Sequence, residues 1–488
     1  MKTFLRVIIL SLTINGAAVA QNVSSQAFYD NYDNYKETVI IERRFGYEKL
    51  NNLIDKLRTY PGFQIEVAGE SINEKNIYLI KIGSGKINVF AWSQMHGDEA
   101  TATMALFDIF NFFATDDNFS DFKKQLLEKI TLYFIPMLNP DGAEKFTRRN
   151  AINIDLNRDA LRLQSPESQT LKNVRDKIQP QFGFNLHDQN TRYTSGNSFK
   201  TATISFLAPD FNYQKEINTV RANTMKLIVN LNEQISKFIP GHIGRYNDDF
   251  EPRAFGDNFV KWGTSSVLIE SGGWKNDEEK QFIRKLNFVA LLTGFQSIAN
   301  EYYIDAKIEN YEKIPENEKY LFNVLFRNLT LTYKNKKYLI DIGINREEKN
   351  INNSVNYFVE SKIEDLGDLS TFYGNEEYDC NSMIVEEGKI YEKEFSSIDE
   401  IEKLNFNDLY KDGIVAVKLN SVKPVHKFTN LPINIIYNNA DFDTEIAPEN
   451  FANFIIRNDN IVNYIIINGF VYNLELVKSE IKNAIILK

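Results

Sequence analysis

From residue 47 to about 304, short apolar runs of strand length alternate with longer stretches whose apolar residues recur every three or four positions, and few architectures accommodate that alternation. A strand that is apolar along its length must be covered on both faces, and the intervening helices supply the cover. The pattern predicts strands over 77–82, 87–92, 132–136, 182–186, 203–207 and 266–269, with helices over 99–113, 213–238 and 278–302. The fold class that follows is α/β, with a mixed, mostly parallel sheet sandwiched by helices. Ligand chemistry in such a sheet gathers beyond the carboxyl ends of its strands.

The 488 residues are more than that sandwich needs, and at roughly 100–200 residues per domain they hold two to four domains. Residues 305–318 are charged, include Pro315, and read as a linker. Beyond it, over 319–488, short β-branched and aromatic runs separated by turns such as Asn468-Gly469 predict a β-rich accessory region with a few helical insertions. At the other end, Lys2 and Arg6 flank the apolar run 7–12, and Ala18-Val19-Ala20 follows. That is the pattern of a signal peptide over 1–20, so residues 21–304 form the large domain of an exported protein, periplasmic or extracellular. No later run approaches the roughly 20 apolar residues that cross a bilayer, and no membrane span is expected.

Composition narrows the chemistry. Lys and Arg number 56 against 66 Asp and Glu, a formal charge of −10, and no segment concentrates basic residues, so nucleic acid is not an expected partner. Cys380 is the single cysteine, which forbids an intramolecular disulfide and a cysteine-based zinc site. Any bound metal must rest on histidine and carboxylate.

Four histidines are present, and two sit at strand ends. His96 and Glu99, in His96-Gly97-Asp98-Glu99, follow the strand 87–92 and can bring an imidazole and a carboxylate to one cation, although such a pair alone is weak evidence. His187 closes the run 182–187; a lone strand-end histidine is more often structural than ligating. Together the three supply the donor set that catalytic zinc uses with one position left open. His242 and His426 match no motif and read as core or surface histidines, and Trp92 and Trp262 as packing. The arginines of the stretch 148–159 are either a solvated loop or fixed cations for an oxyanion and a carboxylate. Glu270 ends an apolar run before Gly272-Gly273 and is equally a satisfied structural carboxylate or a base, while Asp188, next to His187, is either a supporting group for that histidine or a surface charge, with the surface charge the favoured reading.

Taken in order, His96-Gly97-Asp98-Glu99, Asn139-Pro140-Asp141-Gly142, Arg148 and Asn150 followed by Asp155-Leu156-Asn157-Arg158, Leu186-His187 and Ile269-Glu270 resemble the carboxypeptidase A-like zinc metallocarboxypeptidases, over roughly residues 45–302. The resemblance implies the zinc carboxypeptidase fold, with Zn²⁺ bound by His96, Glu99 and His187. It implies that Glu270 is the general base and that Arg148 polarises the scissile carbonyl. Asn157 and Arg158 would hold the substrate's terminal carboxylate, and Asp155 the other ring nitrogen of His96. The sequence departs from the pattern in three places. His187 lies closer to Glu99 than in the digestive members, which implies shorter loops and a more open cleft. The tyrosine that folds over substrate has no clear counterpart, and Tyr246 is the candidate. Residues 253–259, which would shape the pocket for the terminal side chain, match no specificity class.

The activity this implies is release of C-terminal residues from peptides bearing a free carboxylate. The same machinery suits peptidoglycan stem peptides, and a related class hydrolyses N-acyl amino acids. A non-catalytic binding protein on the same scaffold is disfavoured, because a binder has no need of Glu270 or Arg148.

Overall fold

The computed structural model describes residues 22–247, 249–351, 355–420, 426–438, 440–475 and 484–487. The signal peptide read at 1–20 lies outside the described residues.

Among the described residues up to 271, nine strands form: β1 (Gln64–Glu70), β2 (Asn76–Ile82), β3 (Ile87–Ser93), β4 (Ile130–Ile135), β5 (Phe182–Asp188), β6 (Thr194–Ser195), β7 (Ile204–Leu207), β8 (Ile243–Arg245) and β9 (Ser265–Ser271). All but β6 join one sheet in the order β1-β2-β4-β3-β5-β9-β7-β8. The pairings β4–β3, β3–β5, β5–β9 and β7–β8 are parallel, and the remainder antiparallel. The sheet is therefore mixed and mostly parallel, as its apolar runs predicted. Strands β1 and β8 were not anticipated: β1 reads Gln-Ile-Glu-Val-Ala-Gly-Glu on an exposed edge, and β8 has three residues.

Alternation along β3 fills two cores. Val89 and Ala91 face the helices Thr101–Ala114, Thr219–Ile235 and Gln281–Ala299, whereas Phe90 and Trp92 face Leu171, Phe255 and Phe259 on the helices Pro166–Ile178 and Phe255–Lys261. Trp92 is fully buried, its ring 4.2 Å from that of Phe259, so it is a packing residue. The helix expected from 213 starts at Thr219, where the Asn218 side chain accepts from the Arg221 amide and caps it.

β3 has β4 on one side and β5 on the other, so the winding reverses there and opens a crevice at the carboxyl ends.

Residues 305–318, read as a linker, are fastened down. Tyr311 and Ile314 turn inward and are buried, the Tyr311 hydroxyl accepts from the Ala208 amide (3.0 Å), and strand β10 (Asn317–Glu318) pairs with β6. The charged residues around these two apolar side chains disguised a packed segment.

The C-terminal region is β-rich. β11 (Leu321–Tyr333), β12 (Lys336–Asn350) and β13 (Tyr357–Gly367) form an antiparallel meander in an eight-stranded sheet. A second sheet of five strands pairs mostly in parallel and carries the short helices Ile398–Glu402 and Phe406–Lys411. Cys380 is buried and free. Among the described residues no helix is long and apolar enough to cross a membrane.

Candidate active site

The sheet delivers its chemistry from three adjacent strand ends. His96 follows β3 by three residues, His187 lies near the end of β5, and Glu270 near the end of β9. Close backbone packing places the first of these. A Cβ on Gly97 would stand 2.0 Å from the carbonyl carbon of Gly142, so only glycine lets the His96 loop rest on the turn 139–142. Asn139 ties that turn together: its Oδ1 accepts from the Gly142 amide (2.9 Å), and its Nδ2 donates to Met95 O (3.2 Å) and Arg148 O (3.4 Å). One side chain thus links the backbone before His96 to that of Arg148. Asn150 Oδ1 accepts from the amides of Ile152 and Ile154 and folds the chain so that Arg148 and Asp155 meet.

His96, Glu99 and His187 are all buried, with one donor atom of each lying within 4.8 Å of the others. His96 Nδ1 is 2.7 Å from Glu99 Oε1, His187 Nδ1 is 2.6 Å from Glu99 Oε2, and the two ring nitrogens are 3.2 Å apart. The far nitrogen of His96, Nε2, lies 3.1 Å from Asp155 Oδ1 and donates to it, which turns the Nδ1 lone pair toward the cluster. Two buried ring nitrogens converging on one carboxylate form a donor set that suits Zn²⁺. His187 Nε2 finds no hydrogen-bond partner among the described residues, as a ring ligating through Nδ1 alone would leave it.

The electrostatics separate the carboxylates. Burial would raise Glu99, but the charges and hydrogen bonds of His96 and His187 hold it well below the usual range. Asp155 is likewise lowered, with His96 and Arg148 overcoming its burial. Glu270 is pushed the other way, well above its ordinary value, by burial first and then by the charges of Glu99 and Asp188. Its Oε2 is buried without a hydrogen-bond partner among the described residues.

Arg148 reaches the same centre. Its Nε donates to Asp155 Oδ2 (3.0 Å) and its Nη1 lies 3.3 Å from Glu99 Oε1, while the side chain stays 43% exposed to the cleft. Farther out, Asn157 Oδ1 accepts from the Phe255 amide (2.9 Å), and Arg158 donates through Nη1 to Asn157 O (2.7 Å), with Nε 3.3 Å from Glu251 Oε2. Asn157 thus abuts the helix Phe255–Lys261. The Tyr246 ring lies 6.3 Å from that of Tyr193, and its hydroxyl is pushed up by burial and then by the charge of Glu270.

Asp188 is not the surface charge expected. Its side chain is 7% exposed, accepts from Thr101 Oγ1 (2.6 Å) and pairs with Lys280 Nζ (3.0 Å), which also donates to Ser271 O (3.0 Å). Lys280, Thr101 and Glu251 went unrecognised in the sequence, because each acts through a partner 80 or more positions away. His242 Nδ1 lies 2.9 Å from Thr201 O, in a structural contact.

The family model for zinc carboxypeptidases matches residues 50–235. Carboxypeptidase 2 of Trichophyton equinum is 25% identical over 174 residues, 35% of this chain and 30% of that protein. Carboxypeptidase SOL1 of Arabidopsis thaliana is 32% identical over 97 residues, 19% of this chain and 20% of that one. The chain therefore spans under a third of the length of these curated relatives. Among solved structures, a metallo-carboxypeptidase from Pseudomonas aeruginosa aligns at 18% identity and a TM-score of 0.42, over 52% of this chain and 69% of that one. Residues 50–235, which carry His96, Glu99, Arg148 and His187, are thus the part of the mixed-sheet domain that is similar to the zinc carboxypeptidases.

Proposed function

We propose that the chain is an exported zinc-dependent carboxypeptidase that hydrolyses the C-terminal peptide bond of peptides with a free carboxylate. The observation that carries this reading is the convergence of His96, Glu99 and His187 within 4.8 Å, beside a buried Glu270 and a half-exposed Arg148. A binding protein would have no use for a carboxylate held above its ordinary range at that place.

His96, Glu99 and His187 would hold the metal. Zinc bound there supplies Lewis acidity at the scissile carbonyl and makes the attacking water more acidic. Glu270 takes the proton from that water and returns it to the departing amine. Arg148 faces the oxyanion as negative charge grows on the carbonyl oxygen. Asn157 and Arg158 bind the terminal carboxylate, and Tyr246 covers the bound residue. Asp155 fixes the orientation and tautomer of His96.

The test is mass spectrometry of a diverse pool of L-peptides incubated with the zinc-loaded protein, with a chelated control. Stepwise loss of C-terminal residues that stops on chelation is expected. Intact peptides alongside trimmed muropeptides, or alongside hydrolysed N-acyl amino acids, would overturn the reading in favour of those substrates.

A further inference from the structure

Arg148 must be held in place from its own backbone, and the C-terminal region supplies part of that hold. The helix Pro140–Lys145 ends at Phe146, whose left-handed backbone (φ 48°) is unusual for a bulky residue. Such a conformation persists only where its surroundings fix it. The surroundings here come from β12. Asn350, its last residue, donates through Nδ2 to Phe146 O (2.7 Å) and Lys145 O (2.9 Å) and accepts at Oδ1 from Arg44 Nη1 (2.8 Å). The Arg44 guanidinium lies 4.0 Å from the centre of the Phe146 ring and 4.1 Å from that of Tyr357, and pairs with Glu348 (2.6 Å). Two residues beyond Phe146, Arg148 leaves the turn and reaches Asp155 and Glu99.

We propose that Asn350 is a positioning residue for Arg148. It fixes the two carbonyls of the turn from which the arginine extends, so the C-terminal region completes the active site of the domain it packs against. The inference rests on the carboxypeptidase reading, in which Arg148 meets the oxyanion. Only an amide suits the position, since two hydrogens go to two carbonyls while the oxygen accepts from Arg44. Aspartate keeps the acceptor and loses both donors. Because a displacement near 1 Å can cost about 10²-fold, and because Arg148 acts on charge that develops in the transition state, the loss falls on kcat and leaves KM nearly unchanged.

The experiment compares the full-length zinc-loaded protein with Asn350→Asp, Arg148→Ala and the double variant, and follows hydrogen exchange over residues 142–150. Asn350→Asp should lower kcat by about 10- to 100-fold, keep KM within about twofold and zinc at one equivalent, and speed exchange in that segment. In the Arg148→Ala background it should cost little more. A further loss of the same size there, or unchanged kcat with a lower Tm, overturns the proposal. If Asn350→Asp does not fold, Glu348→Gln, which weakens the hold on Arg44, should lower kcat in the same direction; unchanged kcat in that variant overturns it. If the wild type cleaves no peptide, the carboxypeptidase reading fails by itself, and exchange still decides the clamp: faster exchange in Asn350→Asp supports it and unchanged exchange overturns it.

Discussion

His187 and Glu270 face each other in register on the parallel strands β5 and β9, so a proposed metal ligand and the proposed base are set by one strand pairing. The next residues along, Asp188 and Ser271, are also register partners, and Lys280 Nζ bridges them. Neither strand end can slip without breaking that bridge. The spacing between ligand and base is therefore a property of the sheet.

Glu270→Gln should keep one zinc per chain and the native fold while turnover falls by about 10²–10⁴-fold or more. The amide is nearly isosteric but takes no proton from water. Zinc analysis alongside steady-state rates checks this, and wild-type turnover in the variant would return Glu270 to a structural role.

Lys280→Met should destabilise the protein by about 3–5 kcal/mol, the usual cost of stripping one partner from a buried pair. Both side chains are only 7% exposed, and Asp188 would be left with Thr101. Adding Asp188→Asn should recover part of the loss. Denaturant melts of the wild type and the two variants decide it, and a double variant less stable than Lys280→Met would contradict the pairing.

A pH signature comes from Asp257, whose carboxyl is pushed up to about 7 by burial first and then by the charges of Asp210 and Glu251. Between about pH 4 and 7 the unfolded chain releases this proton while the folded chain keeps it. The group's contribution to stability therefore falls as pH rises through that window. Asn in its place still accepts from the Glu251 amide, which lies 3.1 Å from Asp257 Oδ1. Asp257→Asn should thus gain little stability at pH 4 and most at pH 8, by a few kcal/mol at most at about 1.4 kcal/mol per unit of pKa, read as a larger rise in Tm at pH 8. Equal Tm differences at both pH values would refute the assignment.

The central strands were legible in the sequence from local pattern, and the candidate ligand set from motifs that resemble a known family. β3, β5 and β9 are largely buried on both faces and so carry short apolar cores (Val89–Trp92, Phe182–Phe184 and Val267–Ile269), and His96, Glu99, His187 and Glu270 stand at or just beyond their ends. What stayed hidden is what long-range pairing decides. β1 is exposed and polar, so its edge pairing with β2 leaves no apolar run. Asp188 looked solvated because Lys280 lies 92 residues away. The grip of Asn350 on Phe146 spans 204 residues and has no local motif at either end.

Arg158 should make the protein an exopeptidase. The guanidinium is already oriented: Nη1 donates to Asn157 O, and Nε faces Glu251, whose carboxyl is lowered to about 2, mainly through its hydrogen bond with Arg253, and so stays charged at neutral pH. A substrate carboxylate arriving there meets a cation whose rotamer freedom is largely spent, and gains charge-assisted hydrogen bonds that a C-terminal amide cannot match. Breaking such a pair commonly costs about 2–5 kcal/mol, roughly 30- to several-thousand-fold. Arg158 is 39% exposed, so solvent screening places the effect at the lower end. Wild type should favour a free-acid peptide over its matched amide by about 30-fold or more, and Arg158→Ala should slow the acid strongly and the amide little, so the preference collapses. Rates for both peptides with both proteins are the measurement. Equal wild-type rates on acid and amide would sink the exopeptidase assignment while leaving the zinc ligands in place.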